Sequence, residues 1–133
     1  MPGSKFADLK AAIASKLATL PGFEARTWEP PAVTGSRTFT MFSSRIAWNE
    51  ANRTKVYTII VRLLVEAEGD DRAVQEEIDS LADSVASLIR SDPSLGEYAV
   101  TSWVSAFDHS VVAERRLYHV LEWAVEAVVE EVA

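Results

Sequence analysis

Between Val56 and Arg90 the hydrophobic period of the chain changes from two to about 3.6, and the change falls at a glycine. Tyr57, Ile59, Val61, Leu63, Val65 and Ala67 alternate with Thr58, Ile60, Arg62, Leu64, Glu66 and Glu68. Successive side chains of an extended chain point to opposite faces, so the first set forms one continuous apolar face and the second a mixed one. The expected strand is buried on one face and partly covered on the other. After Gly69, Val74, Ile78, Leu81, Ala82, Val85, Leu88 and Ile89 fall on one helical stripe, with Glu76, Glu77, Asp79, Ser80 and Asp83 largely outside it. Asp70 and Asp71 stand where carboxylates favour a helix start, beside unpaired N–H groups and the positive end of the dipole. A strand that folds directly into a helix lays that helix across its sheet. Nothing in this unit is a catalytic motif.

The rest of the chain supplies elements around this pair. Lys5 to Leu20 reads as an amphipathic helix, with Phe6, Leu9, Ile13, Leu17 and Leu20 on one stripe, Ser4 as its cap and Pro21-Gly22 as its stop. Phe23 to Glu29 suits a short edge strand, ended by Pro30 and Pro31, which lack ladder donors. Thr38 to Trp48 has strand propensity interrupted at Ser43, Ser44 and Arg45. With the turn formers of Asn49 to Asn52 it predicts a hairpin from about Arg37 to Val65. Asp92 and Pro93 end the second helix, and Ser94 to Gly96 form a tight connection. Tyr98 to Phe107 is the next expected strand, with Ala99, Thr101, Trp103, Ser105 and Phe107 on one face and Val100, Val104 and Ala106 assigned to the other. Asp108 to Arg115 looks like a hairpin loop, and Arg116 to Val129 fits strand alternation better than a helix because of its β-branched content. The expected fold is a single α+β domain over residues 1–133, an antiparallel sheet of about four to five strands with two main helices packed on one face.

A chain of 133 residues is long enough to bury about two-thirds of the surface its unfolded form exposes. It has no cysteine, which removes disulfides, thiolate metal sites and cysteine nucleophiles and suits a reducing compartment. No apolar run approaches the roughly 20 residues that span a bilayer, and the start lacks the apolar core of a signal peptide, so a soluble intracellular protein with no membrane contact is expected. The net charge of −7 is unevenly spread: residues 1–62 carry nine Lys or Arg against four Asp or Glu, and residues 63–133 carry four against sixteen. A net-acidic domain is poorly suited to gripping nucleic acid, whose affinity comes mainly from phosphate neutralisation. One basic and one acidic half would instead let copies meet head to tail and close into a ring, if the two halves are also separated in space.

No arrangement of reactive groups stands out. His109 sits in the run Asp108-His109-Ser110, but adjacent residues do not converge on one atom as a triad must, so a polar turn is expected. His119 lies on the apolar register of the last strand, with no second histidine expected near it, and reads as a core or interface residue. Glu66, Glu68, Asp70 and Asp71 lack the spacing of a calcium loop, and no glycine-rich phosphate loop, GxSxG or HExxH occurs. No catalytic, cofactor-binding or metal-binding residues are therefore assigned. Of the four tryptophans, Trp103 and Trp123 are expected in the core, whereas Trp28 and Trp48 flank loops and suit core or interface equally. Trp28, Arg37, Arg45, Trp48, Arg53 and Lys55 are the candidate partner-contact residues.

A helix with a Pro-Gly stop, a proline-broken edge, the long strand YTIIVRLLVEAEG, the helix DDRAVQEEIDSLADSVASLI, the connector DPSLGEYAV and the closing strand YHVLEWAVEAVV follow one another from about Lys5 to Val129. In order and texture this chain resembles the tail terminator proteins of long-tailed bacteriophages and gene-transfer particles. The resemblance implies a non-enzymatic virion assembly protein without cofactors, assembled in the host cytoplasm and located at the head-proximal end of the tail. There a hexameric ring stops tube polymerisation and offers the head–tail joining surface. The partners implied are further copies of the chain, the tail tube protein and the head–tail connector proteins, with DNA passing through the ring unread. Glu122, Glu126, Glu130 and Glu131 would then line the lumen, whose acidic wall would not trap phosphates. Solvated surface is the alternative for these residues. The alternatives for the protein are a phage neck or head-completion protein and a small-molecule-binding α+β domain.

Overall fold

A computed structural model describes residues 5–28, 37–66, 71–113 and 117–130. The elements run α1 (Lys5–Leu17), β1 (Glu24–Ala25), β2 (Thr38–Asn49), β3 (Thr54–Glu66), α2 (Asp71–Ser91), β4 (Thr101–Ala113) and β5 (Leu117–Glu130). The sheet order is β1-β2-β3-β5-β4. All pairings are antiparallel except the two-residue β1, which joins β2 in parallel. The expected α+β fold is thus present, with five strands in a mostly antiparallel sheet.

The period-two pattern of β3 decides how the layers stack. Tyr57, Ile59, Val61 and Leu63 are buried, and β5 sets Ala127, Val125, Trp123 and Leu121 directly opposite them. β2 adds Phe39 and Met41 to the same face. Both helices lie there: the Phe6 ring of α1 meets Tyr57 edge-on at 4.8 Å, and Trp123 Nε1 donates to the Ala82 carbonyl of α2 at 3.2 Å. Leu9, Ile13 and Leu17 from α1 and Ile78, Leu81, Val85 and Ile89 from α2 complete one apolar cluster. Among the described residues no helix lies on the other sheet face.

Several local expectations are corrected. α1 ends at Leu17, three residues early, and Leu20 packs against the core from the following turn, which leaves through Gly22 at φ 82°. A positive φ there suits glycine, which has no Cβ to clash. The edge strand in Phe23 to Glu29 contracts to Glu24–Ala25. The serines of β2 do not break it, because a bulge between Ser43 and Arg45 absorbs the irregularity. β4 begins at Thr101 and continues through the residues expected to form a loop, as far as Ala113. A second bulge, between Val104 and Ala106, shifts its register, so Trp103 and Phe107 lie on opposite faces. Trp103 is consequently 42% exposed and not in the core, whereas Trp123 is fully buried. The last segment is a strand, as its β-branched alternation indicates. Ser4, the stretch Pro30 to Ser36, Glu68, Gly69, Asp70, Arg115 and Glu131 lie outside the described residues.

The connector after α2 is fastened to α1. Asp92 accepts hydrogen bonds from Lys16 Nζ at 2.8 Å, Ser94 Oγ at 2.8 Å and the Gly96 N–H at 3.1 Å. The Lys16 bond first, then the other two, hold the Asp92 carboxyl down from 3.8 to about 2. A depressed folded-state value stabilises fully above the unfolded value and is lost as pH falls through the folded one. Asp92→Asn should therefore lower the melting temperature at neutral pH and flatten its decline between about pH 4 and pH 2, as followed by circular dichroism.

Candidate functional site

The surface features that the core does not explain occur at three places on the sheet. The first is the tip of the β2–β3 hairpin. Antiparallel register sets Arg45 against Thr58 and Trp48 against Lys55, with Arg53 in the turn between the strands. Trp48 is 61% exposed, and Arg53 has φ 52°, a left-handed conformation that a side chain disfavours. Four of the six candidate contact residues, Arg45, Trp48, Arg53 and Lys55, thus lie on this hairpin, with Arg45 on one sheet face and the Trp48–Lys55 pair on the other. Trp28 and Arg37 do not: Arg37 precedes β2 at the end away from the tip, and Trp28 follows β1, which pairs with the start of β2. There the Arg26 guanidinium stacks over the Trp28 ring at 5.4 Å. Arg37 pairs with Glu77 of α2 at 3.2 Å and lies over Phe23 at 5.1 Å.

The second place is the helix-free face. Glu122, Glu126 and Glu130 stand in one column on it, opposite Arg62, Thr58 and Thr54 of β3. They are not equivalent charges. Arg62 Nε and Nη2 both donate to Glu122 Oε2, at 2.9 and 2.7 Å, and the guanidinium packs over Phe42 at 5.2 Å. Thr58 Oγ1 donates to Glu126 Oε1 at 3.3 Å, whereas Glu130 is exposed. Around these groups Val56, Ile60, Leu64, Ala124 and Val128 remain only half-buried. Pairs from Lys16 to Asp92, Arg37 to Glu77 and Arg62 to Glu122 join the basic and acidic halves of the sequence within one molecule. Part of the charge asymmetry is therefore compensated internally.

The third place is β4, the sheet edge farthest from β1. Val100, Trp103, Phe107, Val111 and Val112 are 56, 42, 36, 53 and 41% exposed, and Tyr98 beside them is 45% exposed. This strand also holds the histidine that the sequence misplaces. His109 is in β4, not in a turn, and its Nε2 is 2.8 Å from Nδ1 of the buried His119 on β5. The two rings meet because Val111 pairs with His119 and His109 with Leu121, a register invisible before the strands are aligned. One ring nitrogen must donate and the other accept, so the contact needs one of these two nitrogens to carry a proton and the other to lack it. Among the described residues no group of three His, Asp or Glu is arranged to hold a metal ion.

One groove is open between the turn after α1 and α2, about 470 Å³ in volume, lined by Leu20, Ser80, Asp83, Ser84, Ser87, Leu88 and Ser91. Its single carboxylate and row of helix serines do not converge on a point, unlike the polar groups of a ligand pocket. No helix among the described residues is long and apolar enough to cross a membrane. What the geometry defines is an α+β domain whose unusual surface lies on its sheet. No protein-family model and no curated protein matches this sequence.

Proposed function

We propose that this chain is a structural assembly protein of the tail terminator kind, a ring subunit that caps the head-proximal end of a phage or phage-like tail tube, stops its polymerisation and presents the surface joined to the head. The observation that carries the reading is the β4 edge, thirteen residues long, with large apolar side chains exposed on both faces. Soluble monomers keep such edges short, charged or covered, since an open edge recruits other chains. A molecule that keeps one open is built to be completed by a neighbour. The basic, aromatic β2–β3 tip at the other side of the sheet suits a heterologous contact, the type from which rings are made. The likeness in element order then supplies the particular assembly: further copies of the chain, the tube protein and the head-side connector as partners, a hexamer as the ring, and the virion as its location.

The column of Glu122, Glu126 and Glu130 supports a lumen lining less strongly than its composition suggests, because Arg62 compensates Glu122. Light scattering of the purified protein, alone and mixed with purified tail tubes, followed by negative-stain imaging of tube ends, tests the reading. A ring alone, or caps confined to one end of each tube, is expected. A persistent monomer that leaves the ends bare and tube length unlimited would overturn it.

A further inference from the structure

We infer that the ring contact is a continuation of the β-sheet, in which the β4 edge of one protomer pairs antiparallel with the outer edge of β2 in the next. The inference rests on the reading of the chain as a self-assembling subunit, and strand direction is its first support. β2, β3, β5 and β4 alternate in direction, so β2 and β4 run opposite ways at the two sides of the sheet. A second copy set beside the first by translation and a small rotation brings its β2 against β4 with the alternation unbroken. β1 does not prevent this, because it pairs only with Thr38 and Phe39, and among the described residues no strand pairs with β2 from Met41 to Asn49 on that side.

The side chains along those edges are complementary. Arg45, Thr58, Glu126 and Trp103 form one row across the helix-free face. Continuing that row into the next copy sets Arg45 beside the exposed Trp103 ring, where a guanidinium on an aromatic face is favourable. Arg45 is exposed and forms no ion pair among the described residues, so it is available for this contact. The neighbouring row, Ser43, Ile59, Val125 and Val104, extends in the same way and sets the small Ser43 beside Val104. Like pairing of two β4 edges about the middle of the strand would instead set Phe107 of both copies on one two-fold contact and leave the β2 edges out of it.

The chain contains no cysteine, which makes the contact directly testable by disulfide trapping. Arg45 and Trp103 are separated by β3 and β5, roughly 14 Å at the usual strand spacing, beyond the reach of a disulfide within one molecule. Arg45→Cys and Trp103→Cys proteins, mixed and oxidised under the conditions in which the ring forms, should give a doubled mass on a non-reducing gel that neither gives alone. Because these substitutions remove the stacking pair, Ser43→Cys mixed with Val104→Cys serves as a second trap that leaves it intact. Phe107→Cys dimerising by itself would overturn the inference in favour of β4–β4 pairing. Ring formation by light scattering with neither trap closing would overturn the edge contact while leaving the ring reading in place. Absence of any ring would overturn both.

Discussion

Trp123→Ala is expected to cost about 3–5 kcal/mol, a large part of the roughly 5–15 kcal/mol by which a domain of this kind is stable. Trp123 is the largest of the fully buried side chains, and its ring joins three parts of the core. It lies 5.9 Å from Phe39 of β2 and 5.1 Å from Phe107 of β4, and its Nε1 donates to α2. Truncation leaves a cavity bounded by strands on both sides and a helix above, an arrangement that cannot collapse into it cheaply. The melting temperature should fall by roughly 10–20 °C. Trp123→Phe keeps most of the packing and gives up the hydrogen bond to Ala82, so a cost of about 1–2 kcal/mol is expected. Trp103→Ala, on the exposed edge, should change stability by less than about 1 kcal/mol. Equal effects at the two tryptophans in thermal denaturation would contradict the face assignment made by the β4 bulge.

Arg62→Glu is the second large effect. It sets a carboxylate directly across from Glu122 in the central strand pair and removes the guanidinium packed over Phe42. Like charges opposite one another in a sheet are destabilising, and a pair with side chains 32% and 30% exposed is only partly screened by water. A loss of about 2 kcal/mol is expected for Arg62→Glu and a similar loss for Glu122→Arg. The exchanged double variant should recover most of it, giving a coupling of about 3 kcal/mol in a denaturant double-mutant cycle. Additive losses would show that the two residues act on stability separately, through packing. Loss of tube capping in the single variants, restored in the exchanged one, would further tie this pair to the assembled surface.

Patterns confined to one element were readable in advance. The alternation in β3, the stripe of α2 and the glycine turn at Gly22 each depend on residues a few positions apart, and each is present in the fold, although α1 itself ends earlier, at Leu17. What was not readable depends on a bulge or on register between strands. One inserted residue reverses the face of everything after it, which is why Trp103 and Phe107, spaced by four, do not share a face. The run from Asp108 to Ser110 was read as a turn because an exposed edge strand and a loop draw on the same polar residues, having water on one side in both cases. The His109–His119 contact joins residues ten apart through hairpin register, and no local period announces it. Among the candidate contact residues, hairpin register likewise unites Trp48 with Lys55 and sets Arg45 on the opposite face, whereas Arg37 is diverted to Glu77 by tertiary packing.

The insertion of β5 between β3 and β4 also has a kinetic side. β3, α2 and β4 are all made before β5, yet β3 and β4 do not touch as neighbours in the sheet, each taking β5 as its partner. A nascent chain that has emerged as far as β4 holds two unsatisfied strands with a gap between them, a species prone to wrong pairing. The β2–β3 hairpin and α2 can form on their own, but the central ladder closes only when β5 arrives, which makes folding dominated by non-local contacts and slow for a domain of this size. Until that closure β4 has no fixed position, so the edge that would bind a neighbour is completed in the same step as the core. Newly made subunits would in this way be kept from joining one another before each is folded.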